Sequence, residues 1–203
     1  NYSKINNYAV NNFSNGEYIL FLNNDTEVLV DDWIEGMLGF ACQEDVGAVG
    51  AKLFYPNNSI QTAGVCIGIY GGCGEFHKFF HKKSDGYFGR LKLNQNVSAV
   101  SAACMMVRKD KFIEVGCFDE ENFSINCNDL DLCFKLIKKG YRNVFTPYVE
   151  LYHYESLTRG IVMDTIDKNE QRALKRIYKE WIKNGDRYYN PNLSNWMENF
   201  KLK

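Results

Sequence analysis

The feature that most constrains the fold of this chain is an alternation of short, continuous apolar runs with segments of helical periodicity. Apolar runs lie within residues 17–24 and 46–55, and segments 31–43 and 128–140 carry apolar residues at helical spacing. A run without polar alternation is typical of a strand buried on both faces of a sheet. Strands that alternate with helices favour an α/β domain, and we expect its sheet to be largely parallel.

Charge and hydropathy argue against several classes of protein. The 203 residues include 24 basic and 25 acidic ones, a balance that gives no reason to expect a nucleic-acid partner. No apolar run approaches the ~20 residues of a transmembrane segment, and from the first residues of this sequence we expect no signal peptide. The 7 cysteines include no C-x-x-C pair, so we expect reduced thiols in a cytoplasmic protein and no zinc site.

A cluster of oxygen-bearing side chains follows the first apolar run. The strand-like segment 18–22 ends in Asn23, Asn24, Asp25 and Thr26. In open α/β sheets, ligands bind outside the carboxyl ends of the strands. Carboxylate and amide oxygens suit Mg²⁺ or Mn²⁺ and leave positions open for phosphate oxygens. The alternative is a plain turn, since Asn, Asp and Thr are also turn and cap residues.

A second group of polar residues opens the clearest helical segment, 128–140. Asn128 can cap this helix while Asp131, three residues later, completes a capping box. Capping explains Asp129 less well, because this carboxylate lies on the flank of the apolar stripe, close to the core. A carboxylate at a helix start beside a cleft is well placed to accept a proton. Capping and proton transfer are therefore both open interpretations.

A lone histidine ends the last apolar run. His153 follows "YVELY" and is followed, after one residue, by Glu155 and Ser156. A single histidine after apolar residues is more often a hydrogen-bonded structural residue than a metal ligand. Its position alone therefore favours a structural role.

The segment 67–96 predicts a long loop that is glycine-rich at first and then basic and aromatic. Long irregular segments inside compact domains are usually functional or disordered. Aromatic faces pack against sugar rings, so one interpretation is an acceptor-binding segment or lid. The other is a solvated insertion with a small core of its own. Its histidines and aromatic residues include His77, His81, Phe76, Phe79, Phe80, Tyr87 and Phe88.

Four segments together resemble a known family. They are "GEYILFLNNDTEV" (16–28), "VGAVGAKLFYPNNSIQTAGVCIG" (46–68), residues 101–160 and "DRYYNPNLS" (186–194). In this order and at these separations they resemble the family 2 glycosyltransferases with the GT-A fold, in particular bacterial rhamnosyl- and galactosyltransferase-like members that build surface polysaccharide. The resemblance implies an α/β, Rossmann-like, mostly parallel sheet flanked by helices.

The resemblance also implies how the chain is organised. Residues 1–203 would be one glycosyltransferase domain, itself a fragment of a longer domain, with a C-terminal helix and tail at 164–203. The family opens with a strand of the form V-S-I-I-I-P and a nucleoside pocket, which this sequence does not contain. We therefore expect the chain alone to bind donor weakly and to lack activity. The Q-x-x-R-W motif of processive synthases is absent as well, so we expect transfer of one sugar at a time.

On the donor side, the resemblance implies a divalent cation, Mn²⁺ or Mg²⁺, and a UDP- or dTDP-sugar. Asp25 stands at the second acidic position of the family's D-x-D segment and would bind the ion, with His153 as the distal metal ligand. Asn23 stands at the first acidic position and would lie near the ribose or the water shell of the metal. Asn24, between them, is grouped with the donor-binding residues.

On the acceptor side, the resemblance implies a saccharide or a lipid-linked saccharide. Asp129 would be the general base that deprotonates the acceptor hydroxyl, which gives inversion at the anomeric carbon. Asn128 and Asp131 would bind the acceptor sugar. With a lipid-linked acceptor, peripheral association of the protein with the inner face of the membrane stays an open alternative.

Two rival functions fit parts of the same sequence. A sugar nucleotidyltransferase also uses carboxylates and Mg²⁺ beside an α/β sheet, but its glycine-rich N-terminal loop is not seen. A non-catalytic sugar-binding or scaffolding module would keep the aromatic residues and would not need Asp25, Asp129 and His153 in one cleft. Their convergence is therefore the geometric expectation that separates an enzyme from a binding module.

Overall fold

A computed structural model describes residues 1–154 and 163–203, so Glu155 and Ser156 lie outside the described residues. The helices are α1 (Tyr2–Phe13), α2 (Trp33–Ala41), α3 (Lys109–Glu114), α4 (Asn128–Lys138), α5 (Met163–Ile177) and α6 (Lys179–Asn184). The strands are β1 (Tyr18–Leu22), β2 (Thr26–Val28), β3 (Val46–Phe54), β4 (Ile60–Thr62), β5 (Val65–Ile67), β6 (Cys73–Glu75), β7 (Gln95–Val97), β8 (Cys104–Arg108) and β9 (Arg142–His153). This combination of helices with a large sheet confirms the α/β class.

Most strands join one mixed sheet of seven, in the order β1-β8-β3-β9-β2, with β4 beside β3 and β7 beside β9. β5 and β6 pair separately. Within the described ranges β3 and β9 are the one parallel pair. The expectation of a mostly parallel sheet is therefore wrong. All 9 residues of β3 are buried, so its continuous apolar run reflects cover on both faces and not the direction of its neighbours.

Helices cover the sheet on both faces and close the core around β3. Ala48 and Val49 are consecutive in β3 and therefore point to opposite faces. On one face, Met37 of α2 packs in the cluster that contains Val49. On the other, Leu132 and Phe134 of α4 are fully buried in the cluster that contains Ala48. Burying a side chain of this size stabilises the fold by ~1.5–3 kcal/mol relative to leaving it in water.

The segment 59–68, "SIQTAGVCIG", predicts one short strand from its sequence, but it forms two strands in different sheets. β4 pairs with β3, whereas β5 pairs with β6. The chain turns between them at Gly64, whose φ of 90° lies in the left-handed region. A Cβ on this residue would lie 2.7 Å from Cγ1 of Val97, so the turn requires glycine.

Two further segments differ from the expectation. The apolar segment 97–109, "VSAVSAACMMVRK", predicts one strand, but it is divided, since β7 ends at Val97 and β8 begins at Cys104. The single helix expected over 164–185 is divided at Tyr178 into α5 and α6. In the part of the chain that the structure describes, no helix has the length and apolar character needed to cross a membrane.

Candidate active site

Four of the predicted site residues meet in one cleft. Asn23, Asn128, Asp129 and His153 line a cavity of about 320 Å³. They come from distant parts of the chain, since Asn23 follows β1, Asn128 and Asp129 open α4, and His153 ends β9. Cavities of roughly 300–1,000 Å³ are typical of small-ligand sites. The arrangement therefore places a carboxylate, two amides and an imidazole around a space that fits a sugar.

The pairing of β2 with β9 brings Asp25 next to His153. Thr26 lies opposite His153 in this antiparallel ladder. Asp25 directly precedes Thr26, and its Oδ1 lies 3.2 Å from Nε2 of His153. The hydroxyl of Thr26 donates to the main-chain oxygen of Asn23 over 2.8 Å and closes the turn. The same short segment therefore forms a turn and presents a carboxylate to the imidazole.

The buried ring of His153 is oriented by two amide side chains. Nδ1 lies 2.8 Å from Oε1 of Gln61, so the ring donates its proton there. Nε2 lies 3.1 Å from Nδ2 of Asn23. In a neutral ring that donates from Nδ1, the lone pair of Nε2 accepts the amide N–H of Asn23 and lies beside the carboxylate of Asp25. A cation between these two electron-rich atoms would bind both.

Asp25 and His153 fit two adjacent ligands of a divalent ion. Oδ1 of Asp25 and Nε2 of His153 lie 3.2 Å apart, so one carboxylate oxygen and one imidazole nitrogen stand together and would hold the ion between them. Across residues 1–154 and 163–203, no group of three or more histidine, cysteine, aspartate or glutamate side chains could hold an ion. An ion bound by this pair would therefore take its other ligands from phosphate oxygens and water, as Mg²⁺ commonly does.

Asp129 is held by main-chain groups at the first turn of α4. Its Oδ2 accepts the N–H of Ala102 over 3.1 Å, and its Oδ1 accepts the N–H of Leu130 over 2.8 Å. Burial raises the pKa of the Asp129 carboxyl, and these hydrogen bonds offset only part of the rise. A fixed carboxylate with a raised pKa on a cleft wall can accept a proton from a ligand hydroxyl.

The start of α4 differs from the capping box. Cys127 precedes the helix with a φ of 58°, in the left-handed region, and its side chain makes no capping hydrogen bond. Asn128 donates to the main-chain oxygen of Ile125 over 2.9 Å instead. The main-chain N–H of Asp131 is bound by the main-chain oxygen of Cys127. Asn128 therefore fixes the turn that leads into the helix while it lines the cleft.

Three predicted site residues do not line the cleft: Asp25, which contacts His153, and Asp131 and Asn24. Asp131, predicted to bind acceptor, is buried. Its Oδ1 accepts the hydroxyl of Tyr178 over 2.6 Å, and its Oδ2 lies 2.9 Å from Nζ of Lys135. Asn24, predicted to bind donor, is exposed in the turn between β1 and β2. The carboxylate of Asp131 therefore joins α4 to the junction of α5 and α6 instead of facing a ligand.

Another wall of the cleft carries charged residues that the sequence did not predict. Glu75 ends β6, Lys78 follows it, and Glu198 comes from the C-terminal tail. Glu75 is the one acidic residue in the glycine-rich and basic stretch 64–83, and this isolation is the signal that the sequence offers. Its position on the cleft depends on the pairing of β5 with β6, which the strand pattern does not reveal.

Part of the segment 67–96 packs through aromatic side chains against the C-terminal tail. Phe76 and His77 are buried, and the ring of Phe200 stacks on His77 with centroids 4.4 Å apart. Burial lowers the pKa of His77 to about 3, so this ring is neutral and its Nε2 accepts the N–H of Tyr87. Phe76 and Phe200 belong to the same hydrophobic cluster as Ala48 and Phe134, so the segment extends the main core instead of forming one of its own, and its edge reaches the cleft.

Known proteins are similar to this chain in sequence. A family model described as "Glycosyl transferase family 2" matches residues 6–116. The uncharacterized protein y4gI of Sinorhizobium fredii is 43% identical over 206 residues, which cover 100% of this chain and 22% of that protein. The O-antigen biosynthesis protein RfbC of Myxococcus xanthus is 36% identical over 198 residues, which cover 96% of this chain and 15% of that protein.

A third relative matches a shorter part of the chain. The N-acetylglucosaminyl-diphospho-decaprenol L-rhamnosyltransferase of Mycobacterium tuberculosis is 36% identical over 64 residues, or 32% of this chain and 20% of that protein. The matched residues therefore span between 15% and 22% of the length of these curated relatives.

The fold has a counterpart among solved structures. The crystal structure of GalNAc-T7 with UDP, GalNAc and Mn²⁺ is similar with a TM-score of 0.65 and 11% sequence identity. The match covers 89% of this chain and 36% of that protein. At this identity the likeness concerns the fold alone, and it agrees with the fold class expected from the sequence.

Proposed function

We propose a function from one premise: this chain belongs to glycosyl transferase family 2. The protein that contains it transfers a sugar from a UDP- or dTDP-sugar to a saccharide or lipid-linked saccharide acceptor in surface polysaccharide synthesis. The name of the Myxococcus relative supports a role in polysaccharide synthesis. The name of the Mycobacterium relative supports a lipid-linked acceptor. The observation that carries the proposal is the meeting of Asp129 and His153 in one cleft, with Asp25 beside the imidazole.

Asp129 is the general base of this reaction. It takes the proton of an acceptor hydroxyl as that oxygen bonds to the anomeric carbon of the donor sugar. The bond from the anomeric carbon to the diphosphate oxygen breaks, and the nucleoside diphosphate leaves with that electron pair. Attack opposite the leaving group inverts the anomeric configuration. The raised pKa of Asp129 suits it to this role, and Asn128 beside it binds the acceptor sugar.

Asp25 and His153 bind a divalent ion at the donor end of the cleft. When bound, the ion would offset the charge that builds on the departing nucleoside diphosphate. Gln61 holds the imidazole in the tautomer whose Nε2 can act as a ligand. Asn23 supplies an amide where the family has a carboxylate, and we expect this loss of charge to weaken the binding of the ion.

The base is tested with Asp129→Asn in the full-length protein. The amide keeps the size of the side chain but cannot take a proton. We expect sugar transfer to fall ~100-fold or more, with donor binding unchanged. Product formation from a panel of labelled UDP- and dTDP-sugars, together with calorimetry, measures both. The control is Asp31→Asn, an exposed aspartate. Unchanged turnover would remove Asp129 from the role of base.

The metal pair is tested by calorimetry with UDP and dTDP, with and without Mn²⁺. We expect Asp25→Ala and His153→Ala to lose the Mn²⁺-dependent part of binding, because each removes one ligand of the ion. Asp31→Ala should bind as the wild type does. Equal affinity in Asp25→Ala and the wild type counts against the metal assignment. Sugar binding that needs neither Mn²⁺ nor Asp25 favours a non-catalytic sugar-binding module.

A further inference from the structure

Glu75 places a carboxyl oxygen at the cleft without a hydrogen-bond partner. Its Oε2 is inaccessible to water and makes no hydrogen bond to any residue that the structure describes. The hydroxyl of Thr62 hydrogen-bonds to the same carboxyl. In native proteins nearly all buried polar atoms have a hydrogen-bond partner. A buried polar atom without one at a cleft is explained when a ligand supplies that partner. The unpartnered oxygen therefore indicates a hydrogen-bond donor on a ligand.

Glu75 borders two cavities that contain the predicted reacting groups. It lines the main cleft with Asp129, and it lines a smaller cavity of about 90 Å³ with His153 and Lys78. In a displacement reaction the transferred sugar lies between the base and the leaving group. Here that space extends from Asp129 to the pair of Asp25 and His153. Glu75 is therefore placed beside the transferred sugar.

The main chain of Glu75 is fixed from two sides. Glu75 pairs with Val65 in the ladder of β5 and β6. Its N–H donates to Oε1 of Glu198, in the C-terminal tail, over 3.1 Å. A group held in this way is preorganised, so that binding requires little further ordering of the protein.

The surroundings of this carboxyl suit a neutral ligand that bears hydroxyls. Burial raises the pKa of Glu75 to about 8, the hydroxyl of Thr62 and the ammonium of Lys78 lower it in part, and the charges of Asp129 and Glu198 raise it further. At neutral pH the group is therefore mostly protonated and can both donate and accept a hydrogen bond. A sugar hydroxyl has the same two capacities.

We propose that Glu75 binds a hydroxyl of the sugar that is transferred, and that this contact contributes to the choice of donor. The Glu75 side chain lines the cleft, and a turn of its carboxyl toward the cavity would let the hydroxyl donate to Oε2, the oxygen that is shielded from water and lacks a partner among the described residues. Glu75 has this role only if the proposed function holds, because the donor sugar must then occupy the cleft.

Two variants of the full-length protein test this role. Glu75→Leu removes the polar atoms at similar size, and Glu75→Gln keeps one acceptor and one donor. Calorimetry with Mn²⁺ compares UDP-galactose with UDP, and dTDP-L-rhamnose with dTDP. We expect Glu75→Leu to bind the nucleotide sugar about tenfold more weakly and the nucleoside diphosphate unchanged, because one buried hydrogen bond is lost. Glu75→Gln should keep most of the affinity.

Thermal unfolding separates a binding role from a structural one. Glu75→Leu should unfold at the same temperature as the wild type or a higher one, because a buried oxygen without a partner is removed. Exposed Glu121→Gln is the matched control and should change neither measurement. An equal loss for nucleotide sugar and diphosphate, or no loss, overturns the role of Glu75 and leaves the proposed function standing. A wild-type protein that binds neither UDP nor dTDP overturns both.

Discussion

Two carboxyl groups share the cleft but lie in different surroundings. Asp129 accepts the main-chain N–H groups of Ala102 and Leu130, which fix both of its oxygens. Glu75 is bound by the hydroxyl of Thr62 and, in the described ranges, keeps one oxygen without a partner. Burial raises the pKa of both groups. Asp129 is therefore held in position to accept a proton, whereas the protonation state of Glu75 depends more on the group that binds beside it.

The stability of the protein should depend on pH through Glu75. Between the ordinary pKa of 4.5 and about 8, the folded protein keeps a proton that the unfolded chain releases, so stability falls as the pH rises. We therefore expect the melting temperature of Glu75→Gln, relative to the wild type, to rise from about pH 5 to about pH 8 and then to level off. Parallel thermal unfolding across this range measures the difference, with Glu121→Gln as control. A difference that is independent of pH would contradict the raised pKa.

At the scale of elements, α5 fixes the loop that leads into the base. Glu170 of α5 is buried. Its Oε1 accepts the N–H and the hydroxyl of Ser124, over 2.8 and 2.6 Å, and the N–H of Ile125 over 3.1 Å. Its Oε2 accepts the N–H of Asn126 over 2.5 Å. Residues 125–127 line the cleft just before α4, so a carboxylate on a remote helix holds the loop that leads into the helix of Asp129.

Glu170→Gln should loosen this loop. The amide presents an NH₂ group to main-chain N–H donors, so at least one of these contacts becomes unfavourable. We expect the free energy of unfolding to fall by ~1–3 kcal/mol, the turnover number to fall, and Mn²⁺-dependent binding of UDP or dTDP to stay unchanged. Hydrogen exchange at residues 124–126 should speed up. Exposed Glu180→Gln is the control on α6, and unchanged exchange at the loop would show that Glu170 does not hold it.

At the scale of the whole molecule, positions at element ends could be predicted from sequence better than strand pairing. Asp129 and His153 were placed at the start of a helix and the end of a strand by local pattern, and both reach the cleft. The contact of Asp25 with His153 depends on the pairing of β2 with β9, which no local pattern contains. Glu75 could not be predicted for the same reason, since β5 and β6 form a sheet of their own.

Sequence patterns that indicate burial led to wrong expectations where the burying element is distant in the chain. The apolar run of β3 gave no sign that its neighbour β8 runs antiparallel. Asp131 looked like a cap or a ligand because its true partner, the hydroxyl of Tyr178, comes from a distant helix junction. Sequence patterns report how deeply a residue is buried, and they do not report which element covers it.

The C-terminal tail should stabilise the wall that carries Glu75. Phe200 is buried and stacks on His77 and Tyr87, with centroids 4.4 and 4.9 Å apart. We expect Phe200→Ala to lower the free energy of unfolding by ~3–5 kcal/mol, as truncation of a core phenylalanine does. Trp196, 79% exposed in the same tail, gives the matched control, since Trp196→Ala should cost little. Denaturant titration measures both, and equal small effects would mean that the tail is not part of the core.

The contact between Asp25 and His153, which we propose binds the ion, depends on the register that places Thr26 opposite His153 in the ladder of β2 and β9. Because successive side chains of a strand point to opposite sides, one extra residue inserted in β9 ahead of His153 would turn the imidazole away from Asp25. Such an insertion could leave a compact protein that has lost Mn²⁺ affinity altogether. Insertions or deletions in β9 should therefore disturb the contact between Asp25 and His153 more than most substitutions in the same strand.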